Sequence, residues 1–240
     1  QMTAHNHTDS FEETAEKVRF LLSDAIKRQL VSDYPVGTFL SGGIDSSIIS
    51  SVAKKEYKKT GKILDTFSLD YKGNDIYFKA SAFQPSSDTE YIYRMQQYLG
   101  CNGHWCVLEQ DDVADALYDS VCARDLPSMA DIDSSMLLFC KDISRCVKVA
   151  LSGECADEIF GGYPWYRNIS EEKVKIFPWA DCIEYRTSFI NKNLIKYSKG
   201  KEYAENAVYN TVKNISFSEN DSIKDRNLRE MIHLNTSWFM

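Results

Sequence analysis

The feature that most constrains this chain is a short apolar segment followed by a glycine-bearing polar loop, an arrangement that occurs twice. Residues 36–40 are apolar and partly β-branched, and they run into Ser41-Gly42-Gly43-Ile44-Asp45-Ser46-Ser47. Residues 147–151 run in the same way into Ser152-Gly153-Glu154-Cys155-Ala156-Asp157-Glu158. Short segments of this kind are typical of strands buried on both faces, as in parallel sheets. The pattern therefore predicts two buried strands of a parallel sheet, each ending at a loop that could hold a ligand.

Predicted helices and strands alternate through the first two thirds of the chain. Apolar residues recur every three or four positions from Phe11 to about residue 32, which predicts an amphipathic helix. Further strands are predicted at 63–69 and 105–108, a long loop at 70–87, and helices at 44–57, 88–99, 111–122 and 134–144. This alternation predicts an α/β fold, a parallel sheet with helices on both faces. Ligands of such sheets bind beyond the carboxyl ends of the strands, where both loops are expected.

The pattern divides the chain into three segments. Residues 1–10 form a polar lead or linker, 11–167 carry the predicted sheet, and 168–240 form a helical extension with polar loops. The last three residues, Trp238-Phe239-Met240, have side chains that favour burial. We therefore expect the helical extension to be truncated.

Composition and charge argue against several classes of protein. The chain is 43% hydrophobic with a formal net charge of −7, which is typical of a globular protein that does not bind nucleic acid. No apolar run approaches the roughly 20 residues of a membrane helix. The seven cysteines are odd in number and lack C-x-x-C spacing, and the four histidines are scattered. This usage favours a reduced cytoplasmic protein over a disulfide scaffold or a zinc site.

The first loop has the composition of a phosphate-binding site. Gly42 and Gly43 allow a tight turn and a close approach to a ligand, and the following helix directs N–H groups and its positive dipole end at an anion. Ser41 and Ser46 add hydroxyl donors. Asp45 is out of place beside phosphate unless a cation lies between them, so Mg²⁺ is implied. Neither a Walker-type G-x-x-x-x-G-K-[ST] motif nor a dinucleotide G-x-G-x-x-G motif is present.

A Ser-Gly-Gly turn alone is also compatible with a simple helix cap. The full string 41–47 between a buried strand and a helix, however, matches the pyrophosphate-loop (PP-loop) signature of ATP pyrophosphatases. The second loop continues to Tyr163, and 152–163 closely resembles the S-G-E-G-A-D-E-[LI]-F-G-G-Y stretch of asparagine synthetases. Three other segments are similar to that family: Arg124-Asp125-Leu126-Pro127, Met129-Ala130-Asp131 and Thr66-Phe67-Ser68-Leu69. The resemblance covers about 11–167.

The resemblance to glutamine-dependent asparagine synthetases implies a fold and a reaction. The implied fold is the adenine nucleotide α-hydrolase-like fold of PP-loop domains. The implied substrates are aspartate, ATP and ammonia. The aspartate β-carboxylate attacks the α-phosphorus, pyrophosphate leaves with Mg²⁺, and ammonia displaces AMP from β-aspartyl-AMP to give asparagine.

The family also implies a partner domain. Full-length members carry an N-terminal glutaminase whose cysteine nucleophile stands at the chain start, whereas the first cysteine here is Cys101. We therefore expect this chain to lack that domain and to hydrolyse no glutamine. No membrane partner is expected, and the sequence leaves a homo-oligomer open.

The matching motifs carry the family's site residues onto this chain. Glu154 is expected to organise the intermediate and take a proton from the attacking nitrogen. Asp45 and Asp157 are expected to ligate Mg²⁺, which stabilises charge on the leaving group. Nucleotide and pyrophosphate binding is expected from Leu40, Ser41, Gly42, Gly43, Asp45, Ser46, Leu69, Ser152 and Gly153, with Leu40 and Leu69 bordering the base.

Four acidic residues in or near the predicted site, and one cysteine of the second motif, each admit two interpretations. Glu154, Asp157, Glu158 and Asp131 would repel one another in one site unless cations offset them, or each could be a solvated or helix-start acid. For Glu158 the two interpretations are equally supported. Cys155 stands where the family usually has glycine, and we predict an ordinary φ there, with cysteine tolerated as a small residue.

Two alternatives to asparagine synthesis stay open on the sequence. The first is the chemistry of the closely similar β-lactam synthetases, which adenylate a carboxylate and close a ring without ammonia. The second is an ATP-binding module without turnover, against which the presence of Glu154, Asp45 and Asp157 argues.

Overall fold

The computed structural model describes residues 7–80, 86–126, 129–167, 174–180 and 183–239. Contacts divide the chain into two compact units, one of Asp9–Gly153 and the other of Glu154–Met240 together with Gln1–Thr8. Within the described ranges, all strands lie in the first unit. The domain boundary at 167 that the sequence pattern suggests stays a prediction.

The first unit alternates helices and strands. In chain order they are α1 (Phe11–Gln29), β1 (Val36–Phe39), α2 (Ile44–Lys59), β2 (Asp65–Tyr71), α3 (Asn74–Tyr77), α4 (Thr89–Leu99), β3 (Asn102–Leu108), α5 (Gln110–Asp115), α6 (Leu117–Arg124), α7 (Ala130–Ile143) and β4 (Val149–Leu151). The strands form one sheet of order β3-β2-β1-β4, and all neighbours are parallel. The predicted α/β fold with a parallel sheet is confirmed.

The start of α1 is set by local polar chemistry. The Ser10 hydroxyl accepts a hydrogen bond from the Glu13 N–H at 3.2 Å, and the Glu13 carboxylate accepts one from the Ser10 N–H at 2.8 Å. This capping box satisfies backbone donors that the first helical turn would leave without partners. The helix then presents Ile26, which is buried, to the sheet.

Side chains of β1, β2 and β4 alternate between two helical layers. Val36 of β1 and Leu151 of β4 cluster with Ile26 of α1 on one face. Phe67 of β2 clusters with Phe139 of α7 on the opposite face. This alternation follows from the two-residue period of a strand. It confirms that helices cover both faces of the sheet.

The order of the strands creates a switch point beside β1. The chain passes from β1 to β2 on one side, whereas β4 pairs with β1 on the other side, with Thr38 opposite both Thr66 and Leu151. In open parallel sheets, ligands bind in the crevice outside the carboxyl ends of strands at such a point. The two glycine-bearing loops follow β1 and β4, so both begin at this crevice.

Several predicted elements differ from those observed. The single helix predicted at 111–122 is two helices, α5 and α6, because the backbone at Ala116 has ψ of −4° and redirects the chain there. The predicted loop 70–87 contains the short helix α3, which starts after Gly73 at φ 80°. Strand β3 begins three residues earlier than predicted, because pairing with β2 extends it through Asn102 and Gly103, which have little strand propensity of their own.

The second unit is helical where it is described. Its elements are α8 (Ala156–Phe160), two 3₁₀ turns (Pro164–Tyr166 and Pro178–Ala180), α9 (Ile183–Thr187), α10 (Lys192–Ser198), α11 (Gly200–Val212), α12 (Ile223–Leu234) and a π-helical turn (Asn235–Phe239). Phe177, Val208 and Leu234 are among the buried residues of its core. Met240 lies outside the described residues. Within those residues, no helix combines the length and the apolarity needed to cross a membrane.

Candidate active site

The loop after β1 requires glycine at its first turn. Gly42 has φ of +80°, a conformation that side chains with a Cβ rarely adopt. A Cβ on Gly42 would also lie 2.8 Å from the Tyr91 Cβ and 3.1 Å from the Asp88 carbonyl oxygen. The start of α4 therefore packs directly on the backbone of this loop. Gly42 is needed both for the turn and for this contact.

Two serine hydroxyls hold the loop closed. The Ser41 and Ser46 hydroxyl oxygens lie 3.0 Å apart, and the Ser41 N–H donates to the Ser46 Oγ at 3.1 Å. The Ser46 hydroxyl also donates to the Gly43 carbonyl at 3.3 Å, and Ser46 is buried. Ser46 thus organises the loop from beneath, while Ser41 is exposed at its surface. Whether either hydroxyl contacts pyrophosphate stays a prediction.

The N-terminus of α2 is suited to an anion. Gly43 is the cap residue and contributes no side-chain hydrogen bond, and the first helical bond runs from the Ser47 N–H to the Gly43 carbonyl. The N–H groups of the first helical turn have no partner within a helix, and they carry the positive end of its dipole. Asp45, half-buried in this turn, is the acidic residue at the same end.

The loop after β4 lies against the loop after β1. A Cβ on Gly153 would lie 3.1 Å from the Asp45 Cβ and 3.3 Å from the Ser46 backbone nitrogen. Ser152 precedes this contact and is half-buried. The structure therefore brings Gly153 together with Asp45 and Ser46, as expected if both motifs serve one ligand.

The two leucines expected near the base occupy different environments. Leu40 is buried; its N–H donates to the Phe67 carbonyl at 2.9 Å and its carbonyl accepts from the Ser68 hydroxyl at 2.7 Å. Leu69 is half-buried and packs against the cluster around Phe67. The Leu40 N–H is thus already engaged by β2, which leaves a lone pair of its carbonyl oxygen as the main-chain group for a ligand.

The acidic residues of the second motif differ in exposure. Glu154 and Asp157 are exposed, whereas Glu158 is only 4% exposed. The Tyr163 hydroxyl donates to the Glu158 carboxylate at 2.6 Å. Burial, and then the hydrogen bond and charge of Glu158, raise the pKa of Tyr163. Burial and Glu158 also raise the pKa of Tyr166 to about 12. Glu158 is therefore a buried acid that anchors the motif.

The prediction for Cys155 is wrong. Its φ is 71° and its ψ is 0°, in the left-handed region that favours glycine, and it forms the cap of α8. Cys155 thus takes, at the start of α8, the conformation of the glycine that the family usually has there. Burial, and then the negative charges of Glu158 and Glu154, raise the pKa of the Cys155 thiol. The thiol therefore stays protonated at neutral pH.

The described residues contain no cluster of three or more His, Cys, Asp or Glu side chains that could hold a metal. A full protein cage is not what Mg²⁺ requires, because Mg²⁺ usually takes one or two carboxylates together with phosphate and water oxygens. The carboxylates of Asp45 and Asp157 supply oxygen donors of this kind. The side chain of Asp131 and all of Pro127 lie outside the described residues.

Comparison with known proteins decides the family. A model of the asparagine synthase family matches residues 17–240. The chain belongs to the asparagine synthase family. It is 45% identical over 238 residues to asparagine synthetase [glutamine-hydrolyzing] 3 of Bacillus subtilis (strain 168), a match that covers 99% of this chain and 38% of that relative.

Two further relatives of the asparagine synthase family show the same pattern of coverage. Asparagine synthetase [glutamine-hydrolyzing] 1 of Bacillus subtilis (strain 168) is 37% identical over 153 residues, or 63% of this chain and 22% of the relative. Asparagine synthetase B of Escherichia coli (strain K12) is 29% identical over 184 residues, or 72% of this chain and 33% of the relative. The chain thus spans less than half the length of the relatives that it matches.

The sequence analysis does not predict two contacts of the second motif. The backbone of Gly162 lies against the side chain of Asp157. The Tyr163 hydroxyl donates a hydrogen bond to the Glu158 carboxylate. Their spacing of five residues suggests a contact only once the turn at Gly161, with φ of +70°, is known.

Proposed function

We propose that this chain is the synthetase part of an enzyme that uses ATP to convert aspartate to asparagine. Aspartate would react with ATP to give β-aspartyl-AMP and pyrophosphate, and ammonia would then displace AMP. The observation that carries the proposal is the meeting of two family motifs at one switch point, where Gly153 abuts Asp45 and Ser46. Membership of the asparagine synthase family supports the choice of reaction.

The first unit would bind the nucleotide. The N–H groups at the start of α2 and the Ser41 hydroxyl would hold the pyrophosphate portion, while Ser46 keeps the loop in shape. Leu40 and Leu69 would border the base, and Ser152 and Gly153 would lie near the ribose and the α-phosphate. Leu40 and Ser152 directly follow β1 and β4, and Leu69 lies in the C-terminal half of β2.

The acidic residues would bind the metal ion and accept a proton during the reaction. Asp45 and Asp157 would hold Mg²⁺, which when bound stabilises negative charge on the leaving pyrophosphate. Glu154 is exposed, whereas Glu158 is buried. We propose that Glu154 accepts a proton from the attacking nitrogen. The proton must leave for the amide to form, since ammonia attacks as a neutral nucleophile and becomes cationic.

The proposal also includes a partner domain and a cellular location. The names of the relatives describe glutamine hydrolysis, so we propose that a glutaminase domain supplies ammonia in the full-length protein. The six cysteines that the structure describes are free thiols, which supports a reducing cytoplasm as its location.

The decisive experiment is pyrophosphate release measured with ATP, Mg²⁺, aspartate and ammonia, with asparagine and AMP identified as products. Release that does not depend on aspartate or ammonia, but depends on another carboxylate that carries its own amine, would favour a β-lactam synthetase-like ring closure. Binding of ATP in calorimetry without any release would favour a module without turnover.

The metal assignment has its own test. Asp45→Asn and Asp157→Asn should each weaken Mg-ATP binding in calorimetry, because each removes a charged ligand, and should change binding of metal-free ATP much less. Asp111→Asn is a matched control, since Asp111, like Asp157, is an exposed acid in a first helical turn, that of α5. Unchanged Mg-ATP affinity in both site variants would show that the assigned roles are wrong.

A further inference from the structure

The turn that follows α8 places a glycine against a proposed metal ligand. Gly161 ends α8 with φ of +70°, and the N–H groups of Gly161 and Gly162 both donate to the Asp157 carbonyl, at 2.9 Å and 3.1 Å. These bonds fold the chain back over the first turn of α8. Gly162 is thereby brought to the side chain of the same residue whose carbonyl it binds.

The contact leaves no space for any side chain at position 162. A Cβ built on Gly162 would lie 1.7 Å from the Asp157 Oδ1, 2.8 Å from its Cγ and 3.3 Å from its Cβ. Gly162 is not among the glycines of positive φ in the described chain. Its backbone conformation would therefore accept alanine, and the obstacle to alanine is the Asp157 side chain itself.

We propose that Gly162 is a positioning residue, which holds the Asp157 carboxylate in one orientation by leaving space for it. The inference rests on the proposed function, in which Asp157 is a ligand of Mg²⁺. Alanine at position 162 would push the carboxylate out of this orientation, because the end of a side chain moves more easily than a backbone held by two hydrogen bonds. Groups that orient a ligand typically change metal affinity by about 10- to 100-fold when they are altered.

The test is a double-mutant cycle of Gly162→Ala and Asp157→Ala, read out by urea unfolding and by calorimetry. Gly162→Ala alone should lower the urea midpoint, and it should do so less in the Asp157→Ala background, where Cγ and Oδ1 are gone. It should weaken Mg-ATP binding by about 10-fold in the original protein. It should change Mg-ATP binding little in the Asp157→Ala background and should leave metal-free ATP binding unchanged in both.

Gly200→Ala is the matched control, because a Cβ at Gly200 would meet nothing within 4 Å, and it should leave Mg-ATP binding unaltered. Equal weakening by Gly162→Ala in both backgrounds, or equal weakening of metal-free ATP binding, would overturn the inference. If Asp157→Asn weakens Mg-ATP binding and Gly162→Ala does not, the positioning role fails while the metal role stands. If neither variant weakens it, the metal role of Asp157 fails and the inference fails with it.

Discussion

Replacing Cys155 with glycine should stabilise the protein. Cys155 has φ of 71°, and the left-handed conformation costs a residue with a Cβ about 1–2 kcal/mol. Glycine removes this cost but adds freedom to the unfolded chain, which opposes folding by about 0.4–1 kcal/mol. The net expectation is a gain of about 0.5–1 kcal/mol in the free energy of unfolding. For a chain of 240 residues, this corresponds to a rise in Tm of about 1–2 °C.

The assay is urea unfolding followed by circular dichroism, with thermal unfolding as a second measurement. Cys155→Ala separates the backbone from the thiol, because alanine keeps the Cβ and loses only the sulfur, so it should bring no gain. Lys199→Gly is a positive control away from the motif, because Lys199 has φ of 46°. Its exposed ion pair with Glu202 contributes little, so glycine should stabilise there as well.

A Cys155→Gly protein that is no more stable than the original would refute the reasoning, provided that Lys199→Gly shows its gain. That result would mean that the thiol makes a contact that stabilises the folded protein by more than the left-handed conformation destabilises it. A gain shared by Cys155→Ala would point instead to the sulfur as the unfavourable group. Only a gain confined to glycine supports backbone strain at this position.

Two further substitutions test the contacts around the motifs. Gly42→Ala should lower the free energy of unfolding by more than Gly61→Ala, because both positions have positive φ but only Gly42 faces packed atoms within 4 Å; equal losses in urea unfolding would contradict the packing argument. Tyr163→Phe should cost about 1.5–3 kcal/mol in the same assay, because it removes a hydrogen bond to the buried Glu158 carboxylate. A loss below about 0.5 kcal/mol would show that water or another group takes over that bond.

The parallel sheet could be predicted from the sequence because its strands carry apolar residues toward both helical layers and alternate with helices along the chain. Val36 and Leu151 face one helical layer and Phe67 faces the other, so neither side could be polar. The break at Ala116 could not be predicted, since a change in one ψ angle leaves the apolar periodicity of the two flanking helices intact. Strand β3 was predicted too short because its first residues, Asn102 and Gly103, pair with β2 despite their low propensity.

The left-handed conformation at Cys155 shows that a glycine in the family motif can indicate a positive φ even where this chain has another residue. The family's usual glycine at this position indicates a positive φ, whereas a cysteine by itself predicts an ordinary one. Cys155 caps α8 with φ of 71°, so a positive φ occurs at this position with a cysteine side chain. Strain that persists in this way tends to occur at functional sites, where the surrounding structure fixes it.

The pairing of β1 with β4 connects the fold to the proposed function, because it brings the two motif loops together. Strands that are consecutive in the chain usually lie side by side, which would place β4 next to β3. Instead the chain crosses back through α5, α6 and α7, and β4 pairs with β1 from Val36 to Thr38. The motifs alone predict that both loops lie at one edge of the sheet. Only this pairing makes them adjacent, so that Gly153 packs against Asp45 and Ser46.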